Sequence, residues 1–419
     1  MPNAPCRNQP IAYDDHGNIP LDVPFRKLRP QDISLYLQLD TTVGRKTCRQ
    51  ACVHCFYINQ PAAANRSIDL AEGRDIMDGL AAQGYRVFPM ISDSFGRDGT
   101  FLRLFGDSHN RDFHQEASRR ATKTMQRGDM WTSGAPLLDD QWQEYLWTGI
   151  ENGFGNVTIT FHGVLDHDLE LLPPEDYPIK GVFAGRDCER VIARIHAFND
   201  ALQDGAACRA ERIPAHLLAP LDINIGVTVG KHNHSREHLL RYTAYFTRLG
   251  ISVLRFNAFH DHGGRLPQLP LTAAERAQWY RDLKWVHENV PLDFQLGVDE
   301  DFGSSGVDAM GFPPHVGWCR AGQQLFAIVP DPPTTVASGD SGRTEHIGSI
   351  AACVDAFHPI VGKLIRHTPA AGGRPGYTLE FFHDVIEKLQ RKRLDGSYRD
   401  GCFAPEMLSS KAVFITSAR

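Results

Sequence analysis

Three cysteines stand within the eight residues CRQACVHC, 48–55, at the spacing C-x3-C-x2-C. Thiolates set this closely select a soft metal centre. Structural zinc takes four ligands, commonly as two C-x2-C hooks. One such hook is present, Cys52 and Cys55, and the sequence has no second; His54 lies between them at a poor spacing for a nitrogen ligand. Three core cysteines would not sit beside Arg45, Lys46 and Arg49. Iron–sulfur clusters are held by cysteine thiolates. Three thiolates on a short loop suit a cubane that leaves one iron open to a substrate or cofactor.

The elements that must hold this loop are legible in the periodicity. ISLYLQLD (33–40) has a β-type apolar mix and leads straight into the cysteines. Helical spacing follows over 69–85, with Leu70, Ile76, Leu80 and Ala81 on one face and Gly84 as the stop. Further strands are expected at 86–92, 129–134, 156–163, 222–230 and 253–259, with helices around 141–151, 188–202 and 238–250 between them. Strands alternating with helices predict an α/β fold with a parallel sheet and helical crossovers. In such barrels the reactive groups gather at the C-terminal ends of the strands, where the cysteine loop lies.

The cysteine motif in this setting resembles the radical S-adenosylmethionine (SAM) enzymes. The resemblance implies a partial (β/α)6 TIM-like barrel over 31–265, after an N-terminal extension, 1–30. It implies a 4Fe-4S cluster on Cys48, Cys52 and Cys55, whose open iron chelates SAM. Reductive cleavage of SAM then yields a 5′-deoxyadenosyl radical. An external one-electron reductant of the flavodoxin or ferredoxin type is implied as a partner. His54 falls at the family position where the chain passes near the adenine. Asp93, after the second strand, matches a carboxylate that receives the methionyl amino group; a turn-capping role is the alternative. Thr132, Ser133 and Gly134 resemble the family's Thr-Asn-Gly turn. Thr160 and His162 fall where hydroxyls meet the ribose. Arg255 is a charge in an apolar run and should face the cavity. Its partner is either the methionyl carboxylate or a structural carboxylate.

From about residue 266 the pattern changes. GWCRAGQQLFAIVPDPP (317–333) resembles the start of the twitch and SPASM extensions. The dense cysteine stretch of SPASM is missing, which excludes two auxiliary clusters on ligand count. A smaller, cluster-free α+β extension over 266–419 is expected. One auxiliary cluster on Cys319, Cys353, Cys402 and a fourth ligand is the alternative. His260 and His262, past the sixth strand, share a side if extended and are candidates for proton transfer.

Net charge is −6, with no polybasic run, no membrane-length apolar stretch and no signal-peptide core. These features argue against nucleic acid and membrane as partners and place the chain in the cytoplasm. Segment 1–30 is too short for a cobalamin domain or a winged-helix leader reader. The expected substrate is therefore a small polar metabolite, such as a sugar, aminoglycoside or nucleoside intermediate of natural-product biosynthesis. Epimerisation, dehydrogenation and dehydration remain unranked. Peptide maturation with a separate leader-binding partner is the alternative. From another class, an iron–sulfur redox sensor or electron carrier would use the cluster without SAM.

Overall fold

The computed structural model describes residues 19, 22–38, 52, 54–55, 68, 70–90, 93, 95, 128–173, 187–202, 213, 217–261, 265–298, 322–353 and 359–394. Among the expected features, Cys48, His262, Cys319 and Cys402 lie outside these residues.

The architecture is α/β, a curled partial barrel joined to an antiparallel extension. Strands β1 (Ser34–Gln38) and β2 (Arg86–Met90) pair in parallel. Strands β3 (Gly128–Thr132), β4 (Phe154–Phe161), β5 (Asp222–Val229), β6 (Val253–Ala258) and β7 (Gln295–Val298) form a second parallel sheet in that order. Helices α1 (Leu70–Ala81), α2 (Trp142–Glu151), α3 (Cys188–Asp200), α4 (Arg236–Leu249) and α5 (Ala273–Asn289) supply the crossovers. Every strand and helix expected from 33 to 259 is present, with ends shifted by a few residues. β7 carries the barrel sheet past residue 266.

The helices have local reasons to begin and end. Ser235 caps α4, its hydroxyl accepting from the His238 N–H, and Gly250 closes the helix at φ +64°, a left-handed position that suits glycine. Thr272 and Glu275 form a reciprocal capping box at the start of α5. The helices cover the outer face of the sheet. Phe161 packs edge-on against Tyr242 and Phe246 of α4, and Phe256 against Trp279 of α5.

The extension consists of β8 (Leu325–Gly339), β9 (Gly342–Ala351), β10 (Ile360–Pro369), β11 (Gly376–Phe381) and α6 (His383–Leu394). It is continuous with the barrel, because β8 pairs in parallel with β1. One six-stranded sheet runs β11-β10-β9-β8-β1-β2. The segment PDPPTTVASG is extended strand, and the reversal falls at Asp340 and Ser341. Its prolines are tolerated because β8 pairs with β1 only through Ile328. Cys353 is buried just after β9.

Candidate functional site

Alternation along the barrel strands sets the geometry of the site. On β4, Val157, Ile159 and Phe161 are fully buried against helices, while Thr160 and the following His162 are partly exposed. On β5, Ile223, Ile225 and Val227 are buried, while Asn224 and Thr228 are partly exposed. On β6, Leu254 and Phe256 are buried, while Arg255 and Asn257 are partly exposed. Successive side chains point to opposite faces of a strand. The partly exposed set therefore lines the inside of the barrel. A closed parallel barrel fills this space with bulky branched side chains; here it is polar and reachable.

Register places these residues in rows. Thr160, Gly226, Arg255 and Gly297 lie side by side across β4 to β7. Thr228 and Asn257 pair in the next row toward the C-terminal ends. The Arg255 guanidinium lies 5.1 Å over the Trp131 ring, a cation–π contact. Glycine at 226 makes room for it: a Cβ there would stand 3.3 Å from the indole.

The cysteine loop meets the barrel at this end. Cys52 is buried and Cys55 half-buried, and the Cys55 N–H donates to the Cys52 carbonyl at 3.1 Å. Both are thiols rather than disulfide sulfurs. His54 packs edge-on against His162, ring centroids 5.0 Å apart, and against Phe259 at 5.2 Å. The loop thus sits over the ends of β4 and β6. Two thiols on one tight turn, one of them partly exposed, are a donor set that fits an iron–sulfur centre.

His162 has a neighbour not singled out from the sequence, His232, which follows β5. Burial, and then His232, hold the His162 pKa down at about 4. Burial, and then His238, His54 and His234, do the same for His232, also to about 4. Both imidazoles are neutral at physiological pH. The Nδ1 atoms of both are buried without a hydrogen-bond partner among the described residues.

Asp93 and Ser133 come together, as their expected placement at adjacent strand ends requires. The Asp93 carboxylate is buried and takes four donors. Oδ1 accepts from Thr132 Oγ1 at 2.7 Å and from the Phe95 N–H at 3.2 Å. Oδ2 accepts from the Ser133 N–H at 2.8 Å and from Ser133 Oγ at 2.6 Å. A carboxylate offers about four lone-pair sites, so this clasp between the ends of β2 and β3 is saturated. Burial raises the Asp93 pKa, opposed by these hydrogen bonds. His260 lies past β6, near the loop end of the barrel, partly exposed.

Away from this end, Asp166, His167 and Asp168 bring three ligand atoms within 4.8 Å of one another. They form a surface turn, and no second feature marks them as a site.

No protein family matches the chain, and no curated protein does. Among solved structures, three of Streptococcus suis SuiB are similar in outline. The structure bound to precursor peptide SuiA has 14% identity and a TM-score of 0.40, covering 71% of this chain and 57% of that one. The structure described simply as SuiB has 14% identity and a TM-score of 0.43, covering 72% and 58%. The structure bound to S-adenosylmethionine has 14% identity and a TM-score of 0.44, covering 88% and 68%. This chain thus spans under three fifths of the first two. No functional statement follows from a likeness this low. No helix among the described residues is long and apolar enough to cross a membrane.

Proposed function

We propose that the protein is a radical SAM enzyme. The observation that carries this reading is that Cys52, His54 and Cys55 of the C-x3-C-x2-C motif lie at the C-terminal mouth of a polar, partly open α/β half-barrel. Cys48, Cys52 and Cys55 would hold a 4Fe-4S cluster. With SAM bound, that centre supplies reductive cleavage of the sulfonium and a primary carbon radical able to take hydrogen from an unactivated C–H bond.

The chain's own residues do the rest. His54, backed by the buried Phe259 beside the thiols, is the ring that would meet the flat face of an adenine. Thr160 and His162 offer polar groups on the next strand end. The Asp93–Ser133 clasp fixes the β2 and β3 ends; with its lone pairs filled, it positions backbone rather than receiving an ammonium. Arg255 is held by Trp131 inside the lumen, where it can meet a carboxylate. His260 and His262 remain candidates for moving a proton.

Two substrate classes enter the test. A small polar metabolite suits the polar rows of the lumen. A peptide stands beside it, because peptide maturation was the alternative open from the sequence. The extension, read as twitch-like and free of a cluster, would shape the pocket.

Anaerobically reconstituted protein should hold about four irons per chain, and the Cys48, Cys52, Cys55 triple alanine variant essentially none. Dithionite-reduced wild type with SAM should release 5′-deoxyadenosine and methionine, faster with the true substrate. A variant that keeps a full cubane would place a second cluster in the extension. A cluster-replete wild type that never cleaves SAM, with metabolites and peptides supplied, would end the enzyme reading and leave a redox carrier.

A further inference from the structure

The segment that follows β6, 259–272, is tied down at several points although it lies outside the barrel core. Among its described residues only Phe259 and Leu269 are buried, and with Leu266 against them they form an apolar cluster of their own. The Phe259 N–H donates to the Val229 carbonyl at the end of β5, at 2.9 Å. Asp261 gathers the turn: its Oδ1 accepts from the Arg265 N–H at 3.0 Å and its Oδ2 from the Leu266 N–H at 2.8 Å. Further on, the Leu269 carbonyl accepts from the Lys231 N–H at 2.9 Å, and Lys231 Nζ stands 3.3 Å from Glu275 of the α5 capping box. Glycine at 230 lets the two loops close, since a Cβ there would stand 2.9 Å from the Leu269 carbonyl oxygen. Ordering a loop costs backbone entropy residue by residue, and two buried side chains offset little of it for the fold as a whole. The ties therefore point to a local task. That task is marked by the Phe259 ring, which meets His54, the residue between Cys52 and Cys55, at 5.2 Å.

We propose that Phe259, seated by Leu269 and this strap, is a positioning residue for the cysteine loop. The turn is tight, with the Cys55 N–H on the Cys52 carbonyl at 3.1 Å. His54 projects from that turn, so fixing its ring fixes the direction of the two thiols on either side. Thiols already held in place lose less freedom when they close on a metal centre, and neighbours that orient the ligands tune how firmly the centre is kept. The loop follows β1 in one sheet, and its support follows β6 in the other. The strap thus braces the motif from across the mouth of the barrel. The cluster's part in this rests on the radical SAM reading; the support of the turn does not.

The test compares wild type, Phe259→Ala and Leu269→Ala, each as apoprotein and after anaerobic reconstitution. In the apoprotein, iodoacetamide labelling is followed cysteine by cysteine with mass spectrometry. Cys52, buried in the motif, reports opening of the loop, and Cys188, buried in the core on α3, reports opening of the whole fold. Cys52 should be labelled faster in both variants while Cys188 changes less; a merely structural loss would raise both rates together. From reconstituted protein, iron should pass to a chelator about tenfold faster than from wild type, the lower end of what loss of a ligand-orienting neighbour costs a metal site. Leu269→Ala carries the test alone if Phe259→Ala fails to fold. A Cys52 rate that rises only in step with Cys188, in either variant, overturns the proposal. Iron held as firmly as in wild type by variants whose Cys52 has opened overturns it too. A wild type that takes up no iron defeats the cluster reading instead, and the labelling ratio still decides whether the strap supports the turn.

Discussion

His162 and His232 are the residues where burial bears most directly on solution behaviour. Both have folded pKa values of about 4, below the ordinary 6.5, chiefly because burial disfavours the charged ring. Between those values the unfolded chain binds more protons than the folded one. Stability is therefore fully present above about pH 6.5 and falls as pH drops toward 4, by up to ~1.4 kcal/mol per pH unit for each ring. Wild type and His232→Leu, compared by urea midpoints at pH 7.5 and 5.5, should separate. The acid-side loss should be smaller in the variant by about 1 kcal/mol. Equal losses would mean that the ring charges in the fold without penalty. His232 was within reach of the sequence, since GKHNH follows directly on the fifth strand. It was passed over because a histidine in a turn is ordinary until the fold sets it against His162.

At the scale of elements, the barrel strands and helices were legible because period-2 and period-3.6 patterns are each sustained there. The lumen was legible in part. NVTITFHG, DINIGVTVG and VLRFNAF all carry polar residues at alternate positions. Barrel strands of a parallel sheet are buried on both faces and usually read as unbroken apolar runs, so this alternation already signals a polar interior. Thr160 and His162 were singled out through the family resemblance and Arg255 as a charge in an apolar run, whereas Trp131, Asn224, Thr228 and Asn257 were not singled out. Trp131 in particular reads as ordinary core until the fold lays its ring against Gly226 and under Arg255. Strand β8 was missed for another reason: Pro330, Pro332 and Pro333 look like a loop, and an open strand edge with an irregular register accommodates them. The extension strands are tied to the barrel by charge. Glu345 of β9 is almost fully buried, with Arg366 Nη2 at 2.7 Å and Arg343 Nη2 at 2.6 Å, and Arg366 reaches Glu72 of α1 at 3.2 Å. Glu345→Gln should cost about 2 kcal/mol, less than a fully buried pair because the arginines are partly exposed. Replacing Glu345 and Arg366 together by Met should restore part of that loss. A chemical-denaturation series in which the double variant is the weaker would show that the pair contributes net stability.

The whole molecule holds together across the boundary that the sequence suggests near residue 266. β1 is flanked by β2 on one side and β8 on the other, so the extension completes the barrel sheet rather than sitting beside it. Phe25, ahead of β1, packs edge-on against Phe326 of β8 and Phe381 of β11. Gln390 of α6 accepts from the Phe25 N–H and donates to the Val23 carbonyl, and Gln83 after α1 donates to the Tyr377 carbonyl. One core cluster includes Leu35 and Ile76 of the barrel together with Ile350, Leu364 and Ile386 of the extension. Two units that share a sheet and a core should unfold as one, since neither can open without exposing the other's apolar face. Calorimetry should therefore give a single transition for the full chain. A chain ending after Val298 leaves the β1 edge unpaired and the Phe25 face bare, and it should aggregate on expression. A soluble, cooperatively folded 1–298 fragment, or two separated transitions in the full chain, would instead make residue 266 a true folding boundary. In that case the cysteine loop would rest on a barrel that stands alone.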